Sequence, residues 1–190
     1  MKWTEGIIAG AIARQTLASK CVVLVDRCVW TGYECDVLAV TRELRIIDIE
    51  VKISRADLKA DAQKDKWWHR RSFSNFHIGT GRAHGPEAPA IRNDWPTRVW
   101  KHYYAMPAEI WKPELLDCLP STKSGVILMR EQRGGGAIAV AEVVRRATPN
   151  KDADRITAED VIDIARLANL RMWDAYQQRD ASRGKQLEPA

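Results

Sequence analysis

The chain is short of phenylalanine, has no paired-cysteine motif and contains no long apolar run. Phe occurs twice among 190 residues and aromatics make up 7%, yet Trp supplies eight residues against four Tyr. Trp3, Trp30, Trp67, Trp68, Trp95, Trp100, Trp111 and Trp173 read as core and anchor residues rather than as a stacking platform for bases. Cys21, Cys28, Cys35 and Cys118 form no CxxC pair and have no His at ligand spacing, which removes the usual signature of structural zinc and leaves reduced thiols as the reading. No apolar stretch approaches the roughly 18–20 residues of a membrane span. Glu5 and Arg14 interrupt the N-terminal segment, so it reads as a helix rather than a signal peptide. The expectation is an intracellular protein with no membrane partner. A large excess of one charge is also missing: 30 Lys+Arg against 25 Asp+Glu leave +5, a modest pointer to an anionic partner.

What is present is a pattern of helices and strands. Thr4 stands at an N-cap position ahead of Ile7, Ile8, Ala11, Ile12 and Leu17, predicting an amphipathic helix over 4–19. CVVLVDRCVW, YECDVLAVT and RIIDIEVKI follow. They are rich in β-branched residues and separated by short polar turns, and they predict a three-stranded antiparallel meander. Ser54 with Asp57 resembles a capping box and predicts a helix from about 55 to 70. Residues 72–97 carry glycines and prolines without periodicity and read as a long loop or insertion. Strands are expected over 98–107, 124–131 and after the turn Gly134–Gly136, with a short helix over 108–116. Gly134–Gly136 is not a phosphate loop, since it opens no helix and no Lys-Ser/Thr follows. Thr157 and Asp160 cap a last helix bearing Val161, Ile164, Leu167, Ala168, Met172 and Trp173. The division expected is a domain over 1–150, a helix packed on it over 151–181, and a loose tail over 182–190.

Chemistry concentrates on the meander. Alternation puts Asp48, Glu50 and Lys52 on one face of their strand and Ile47, Ile49, Val51 and Ile53 on the other. Glu34 and Asp36 share a face with Leu38 and Val40. A three-residue loop over 42–44 pairs Thr41 with Arg45 and sets Asp36 opposite Glu50, with Cβ atoms roughly 4.5–5.5 Å apart. Two facing carboxylates repel unless a cation offsets them. Mg²⁺, which binds through one or two carboxylates and keeps several waters, suits the pair better than zinc. Lys52 is then placed to orient the attacking water or stabilise charge on phosphate.

This Asp, thirteen intervening residues, Glu-x-Lys pattern resembles the PD-(D/E)XK nuclease superfamily, with Asp36, Glu50, Val51 and Lys52 on the motif. EVKISRADLKAD is similar to a segment of its MmcB-like DNA repair and phage-encoded members. So are the basic helix after it, the Tyr103, Tyr104, Pro107 strand and Leu119-Pro120 before GVILM. The likeness spans about residues 4–147. It departs where Cys35 replaces the leading Pro and where 72–97 intervenes. The resemblance implies an α/β fold with a restriction-endonuclease-like core: a central mixed sheet, the meander plus further strands, flanked by helices. It implies a metal-dependent DNA nuclease of repair, recombination or phage genome processing, in the cytoplasm of a bacterial or phage-infected cell. Asp36, Glu50 and the Val51 backbone carbonyl would hold Mg²⁺, with Mn²⁺ as a substitute. Lys52 would act beside the water, and Glu5, in the first helix, would join as a further catalytic acid. Glu34 and Asp48 are possible additional acids.

Lys64, Lys66, His69 and Arg70 are the expected nucleic-acid contacts, Lys66 and His69 lying one helical turn apart. His77, His84 and His102 have no partner at a known spacing and read as surface or loop residues. Two other functions fit the same residues. One is a non-catalytic DNA-binding or assembly module that keeps the nuclease fold. The other is a dimeric, structure-specific junction resolvase, with the terminal helix supplying a homodimer or larger-assembly interface.

Overall fold

The computed structural model describes residues 2–69, 90–132 and 138–187. Most of the expected 72–97 insertion, the turn at Gly134–Gly136, Arg70, His77, His84 and the last three residues lie outside them. Six strands form one mixed sheet: β1 (Cys21–Cys28), β2 (Cys35–Thr41), β3 (Ile46–Val51), β6 (Lys101–Pro107), β7 (Gly125–Glu131) and β8 (Ile138–Arg145), hydrogen-bonded in that order. A separate pair, β4 (Trp68–His69) and β5 (Ile91–Arg92), is antiparallel. β1, β2 and β3 are the predicted antiparallel meander, β6 and β7 continue in parallel from β3, and β8 returns antiparallel. The chain is thus α/β, with helices flanking a six-stranded mixed sheet.

Helix α1 (Glu5–Ile12) begins where Thr4 accepts the Ile7 amide at 3.3 Å, and its last turns widen into a π-helical stretch over Ala13–Leu17. It lays Ile8, Ala11, Ile12 and Leu17 on Val37, Ala39, Ile47, Ile49 and Val51. The opposite sheet face carries two further apolar clusters. One joins Val25, Leu38, Val40 and Ile46 to Ile164 of helix α3 (Ala158–Leu187). The other gathers Leu58, Trp67, Tyr104, Met106, Leu115 and Leu128. The polar residues of β3 and β6 lie between these clusters.

Several expectations need correction. The second helix does not reach residue 70: α2 covers Arg55–Ala60, 3-10 turns follow over Asp61–Gln63 and Asp65–Trp67, and Lys64 between them is extended. That break turns the lysines back toward the sheet. Within the expected 72–97 insertion, residues 91–97 are tied to the body, because Asn93 donates to the Trp67 carbonyl and Ser121 to that of Asp94. The short helix after β6 is a 3-10 helix over Pro113–Cys118. The Thr157–Asp160 capping box forms in both directions. The helix it starts continues through Leu187, past the expected onset of the tail at Ser182. Of its expected apolar stripe, Ile164 is buried, whereas Leu167, Met172 and Trp173 are exposed. Among the eight tryptophans only Trp67 is fully buried. Among the described residues no helix is long and apolar enough to cross a membrane.

Candidate active site

The hairpin between β2 and β3 sets the site. Thr41 and Leu44 close a loop over 42–44: the Thr41 amide donates to the Arg45 carbonyl at 2.9 Å, and Leu44, at φ 59, donates to Thr41. The register then runs Val40↔Ile46, Leu38↔Asp48, Val37↔Ile49. One more step brings Asp36 level with Glu50. The ladder opens there. Continued regularly, it would give the Val51 amide to Cys35, but the Asp36 carboxylate takes that amide at 2.7 Å. Cys35 joins Leu38 and Val40 in the apolar cluster under α3, so strict alternation ends at this point of β2.

Asp48, Glu50 and Lys52 share the polar face of β3 as expected, and all three are buried. Glu50 is encircled by ammonium groups. Lys52 Nζ lies 3.1 Å and Lys64 Nζ 3.0 Å from its Oε2, and Lys66 pairs closely with Oε1. Asp61, fully buried, holds Lys52 at 2.9 Å and Lys64 at 3.0 Å. It is itself fixed by the Tyr104 hydroxyl at 2.6 Å and the Trp67 indole at 3.0 Å. Asp57, on the cleft side, lies 3.6 Å from Lys52. Behind them the ring of His102 stands between Ser124 Oγ, 3.0 Å from Nδ1, and Asp48, 3.7 Å from Nε2.

The electrostatics divide the acids into two groups. Burial works to raise the Glu50 pKa, but Lys66 and Lys52 outweigh it and hold it at about 2. Asp61 is likewise lowered against burial, by Lys66, Lys52 and the Tyr104 hydroxyl. Asp36 goes the other way. Burial and then the neighbouring Glu50 charge push it up to about 6, with only the Val51 amide and Lys52 opposing. Glu5 adds to the upward push from α1. Asp48 is raised by burial, against the pull of Lys66 and of the Cys35 thiol. His102 is held neutral by burial and by Lys66.

The predicted residues thus divide. Asp36, Glu50 and Lys52 come together, with Glu5 near the Asp36 side and exposed. Asp48 is in the same face but enclosed, and Glu34 is exposed at the start of β2. Lys66 is a correction: its side chain is 2% exposed, 5.3 Å from the Tyr33 ring and paired with Glu50, so it is not a surface contact for nucleic acid. Nor are Lys66 and His69 a helical turn apart, since His69 lies in β4 and is exposed. His102 is buried, not a surface residue. Lys64 remains half exposed. Asp61, Trp67 and Tyr104 were not anticipated as site residues. The signal for Asp61 was available, because Asp57 and Asp61 stand four apart directly after the motif and so face the same way.

The donor set suits a hard cation in kind. Asp36 and Glu50 are carboxylates brought level, and Asp36 carries negative charge that no ammonium neutralises as those around Glu50 do. Mg²⁺ needs only one or two such ligands, with water and phosphate completing its shell. Among the described residues no three Asp, Glu, His or Cys side chains converge as a ready-made ligand group. Both Glu50 oxygens are occupied by lysine, so cation entry requires an ammonium to withdraw, and Lys64 is the exposed one.

No family model and no curated protein matches the chain. Among solved structures it is similar to a protein of unknown function from Silicibacter pomeroyi, at 20% identity and a TM-score of 0.51, over 100% of this chain and 98% of that one. At that identity the likeness shows the fold alone.

Proposed function

We propose that the sheet is a restriction-endonuclease-like core and that the protein is a metal-dependent nuclease hydrolysing phosphodiester bonds in DNA. One observation supports this above the others. A hairpin brings Asp36 level with Glu50, the Asp36 carboxyl is raised to about 6 by burial and by that neighbour, and Lys52 follows two residues later on the same face. A carboxylate pair kept in such tension is a device for holding a cation. The β1–β2–β3 meander, continued by further strands into a mixed sheet, also agrees with the element order that the resemblance implies.

Asp36, Glu50 and the Val51 carbonyl would hold Mg²⁺ or Mn²⁺, which supplies Lewis-acid polarisation of the phosphate and lowers the pKa of water. Lys52, pinned between Glu50 and Asp61, presents its ammonium at a fixed place to orient the water and offset charge growing on the phosphate. Lys64 leaves Glu50 for a phosphate oxygen when DNA enters, and exposed His69 contacts the backbone. Glu5 serves as an outer carboxylate. The test is cleavage of linear, circular, single-stranded and branched DNA by purified protein, with and without Mg²⁺ or Mn²⁺. Cleavage should require the metal and fall at least about 100-fold in Asp36→Asn; undiminished cleavage by that variant rejects the site.

The saturation of Glu50 by three lysines favours a second reading, a DNA-binding or assembly module whose carboxylates serve only the fold. That reading expects DNA binding without metal-dependent cleavage, and unchanged affinity in Asp36→Asn.

A further inference from the structure

We propose that the α1 face of the sheet carries a second ligand site, which takes an amphiphilic organic anion: a phosphate or carboxylate on a flat apolar body. A cavity of about 720 Å³ opens between the π-helical turn after α1, the 42–44 loop and strands β3, β6, β7 and β8. That is the size of a small-molecule site rather than of a packing defect. Ile47, Ile49 and Ile127 make an apolar floor, with Trp100 and Tyr103 beside them. The Tyr103 ring is seated on Gly125, where an added Cβ would come within 2.3 Å of it, so this aromatic wall depends on a glycine.

The rim is cationic. Lys20, Arg42, Lys101 and Arg146 line it against a single carboxylate, Glu43. Burial, then Arg146, then Lys20 lower the pKa of Lys101, as expected of like charges gathered without an anion among them. Among the described residues, Lys20, Lys101 and Arg146 make no ion pair. The Lys101 ammonium rests 4.2 Å from the Trp100 ring centroid, so an anion drawn to it brings its body against an aromatic surface. Neither inorganic phosphate nor a neutral hydrocarbon would use both halves of this site.

The site is separate from the carboxylate pair. It lies on the sheet face opposite Glu50, its lining running from the Thr41 end of β2 to Ile49, the cross-strand partner of Val37. Isothermal titration of the full chain without divalent metal, using 1-naphthyl phosphate, inorganic phosphate and 1-naphthol, tests it. Naphthyl phosphate should bind one to one and at least tenfold tighter than either part. Lys101→Gln with Arg146→Gln should weaken it at least tenfold with the circular-dichroism spectrum unchanged, and Lys101→Arg should restore affinity to within threefold. Absence of saturable binding, equal binding by either part alone, or unchanged affinity in the double variant overturns the proposal. Loss of binding in Asp36→Asn would place the ligand at the carboxylates and overturn it too.

Discussion

Ile49 and Glu50 are successive residues of β3, 0% and 1% exposed, and they meet opposite surroundings. Ile49 faces α1 across aliphatic side chains, where each contact is small and interchangeable and the whole is summed over area. Glu50 faces Lys52, Lys64 and Lys66, where each partner is specific and the loss of one leaves a charge stranded in the interior. One side of the strand therefore tolerates change by degrees. The other works as a unit, and it is the side on which chemistry is proposed.

The largest effect that would sharpen this contrast is at Glu50. Glu50→Ala should destabilise the fold by about 3–5 kcal/mol in urea titration, since three ammonium groups lose their shared partner; a loss below about 1 kcal/mol would show that water already reaches them. Ile49→Val, next along the strand, should cost only about 0.5–1.5 kcal/mol by the same measurement, and a loss equal to that at Glu50 would erase the difference between the faces. Asp36 should reveal itself through pH. Because its carboxyl is raised to about 6, the folded state binds more protons there than the unfolded state does. Stability should accordingly fall as pH rises from about 4 to 6. Urea midpoints at about pH 4.5 and 6.5 should separate less in Asp36→Asn than in the parent, and an identical separation would remove Asp36 as the cause. Smallest of all, exposed Glu34→Gln should move stability by less than about 0.5 kcal/mol and leave any cleavage rate unchanged.

The meander was legible because its signals are local. Alternating residues, a three-residue loop and the capping pairs at Thr4, Ser54–Asp57 and Thr157–Asp160 need no knowledge of distant chain, and the hairpin register follows from loop length alone. The enclosure of Glu50 was not legible. Lysine is among the residues least often buried, so Lys64 and Lys66 read as exposed contacts for nucleic acid. The extended residue at Lys64 that folds them inward is stabilised by Trp67 and Asp61 packing against Tyr104, which is 43 residues from Asp61. His102 read as a surface residue for the same reason, since its partners Asp48 and Ser124 come from other strands. Parallel pairing of β3 with β6 likewise joins segments that no short window connects.

The small β4–β5 pairing also has a practical side. Trp68 stands against Arg92 and His69 against Ile91, so two points far apart in sequence are held as cross-strand partners about 5 Å apart. Such a doorway accepts cargo of almost any length, because closure entropy grows only slowly with loop size. A guest segment whose own termini are adjacent, added between these strands, should cost only about 0.6 kcal/mol in closure entropy for each doubling of the loop.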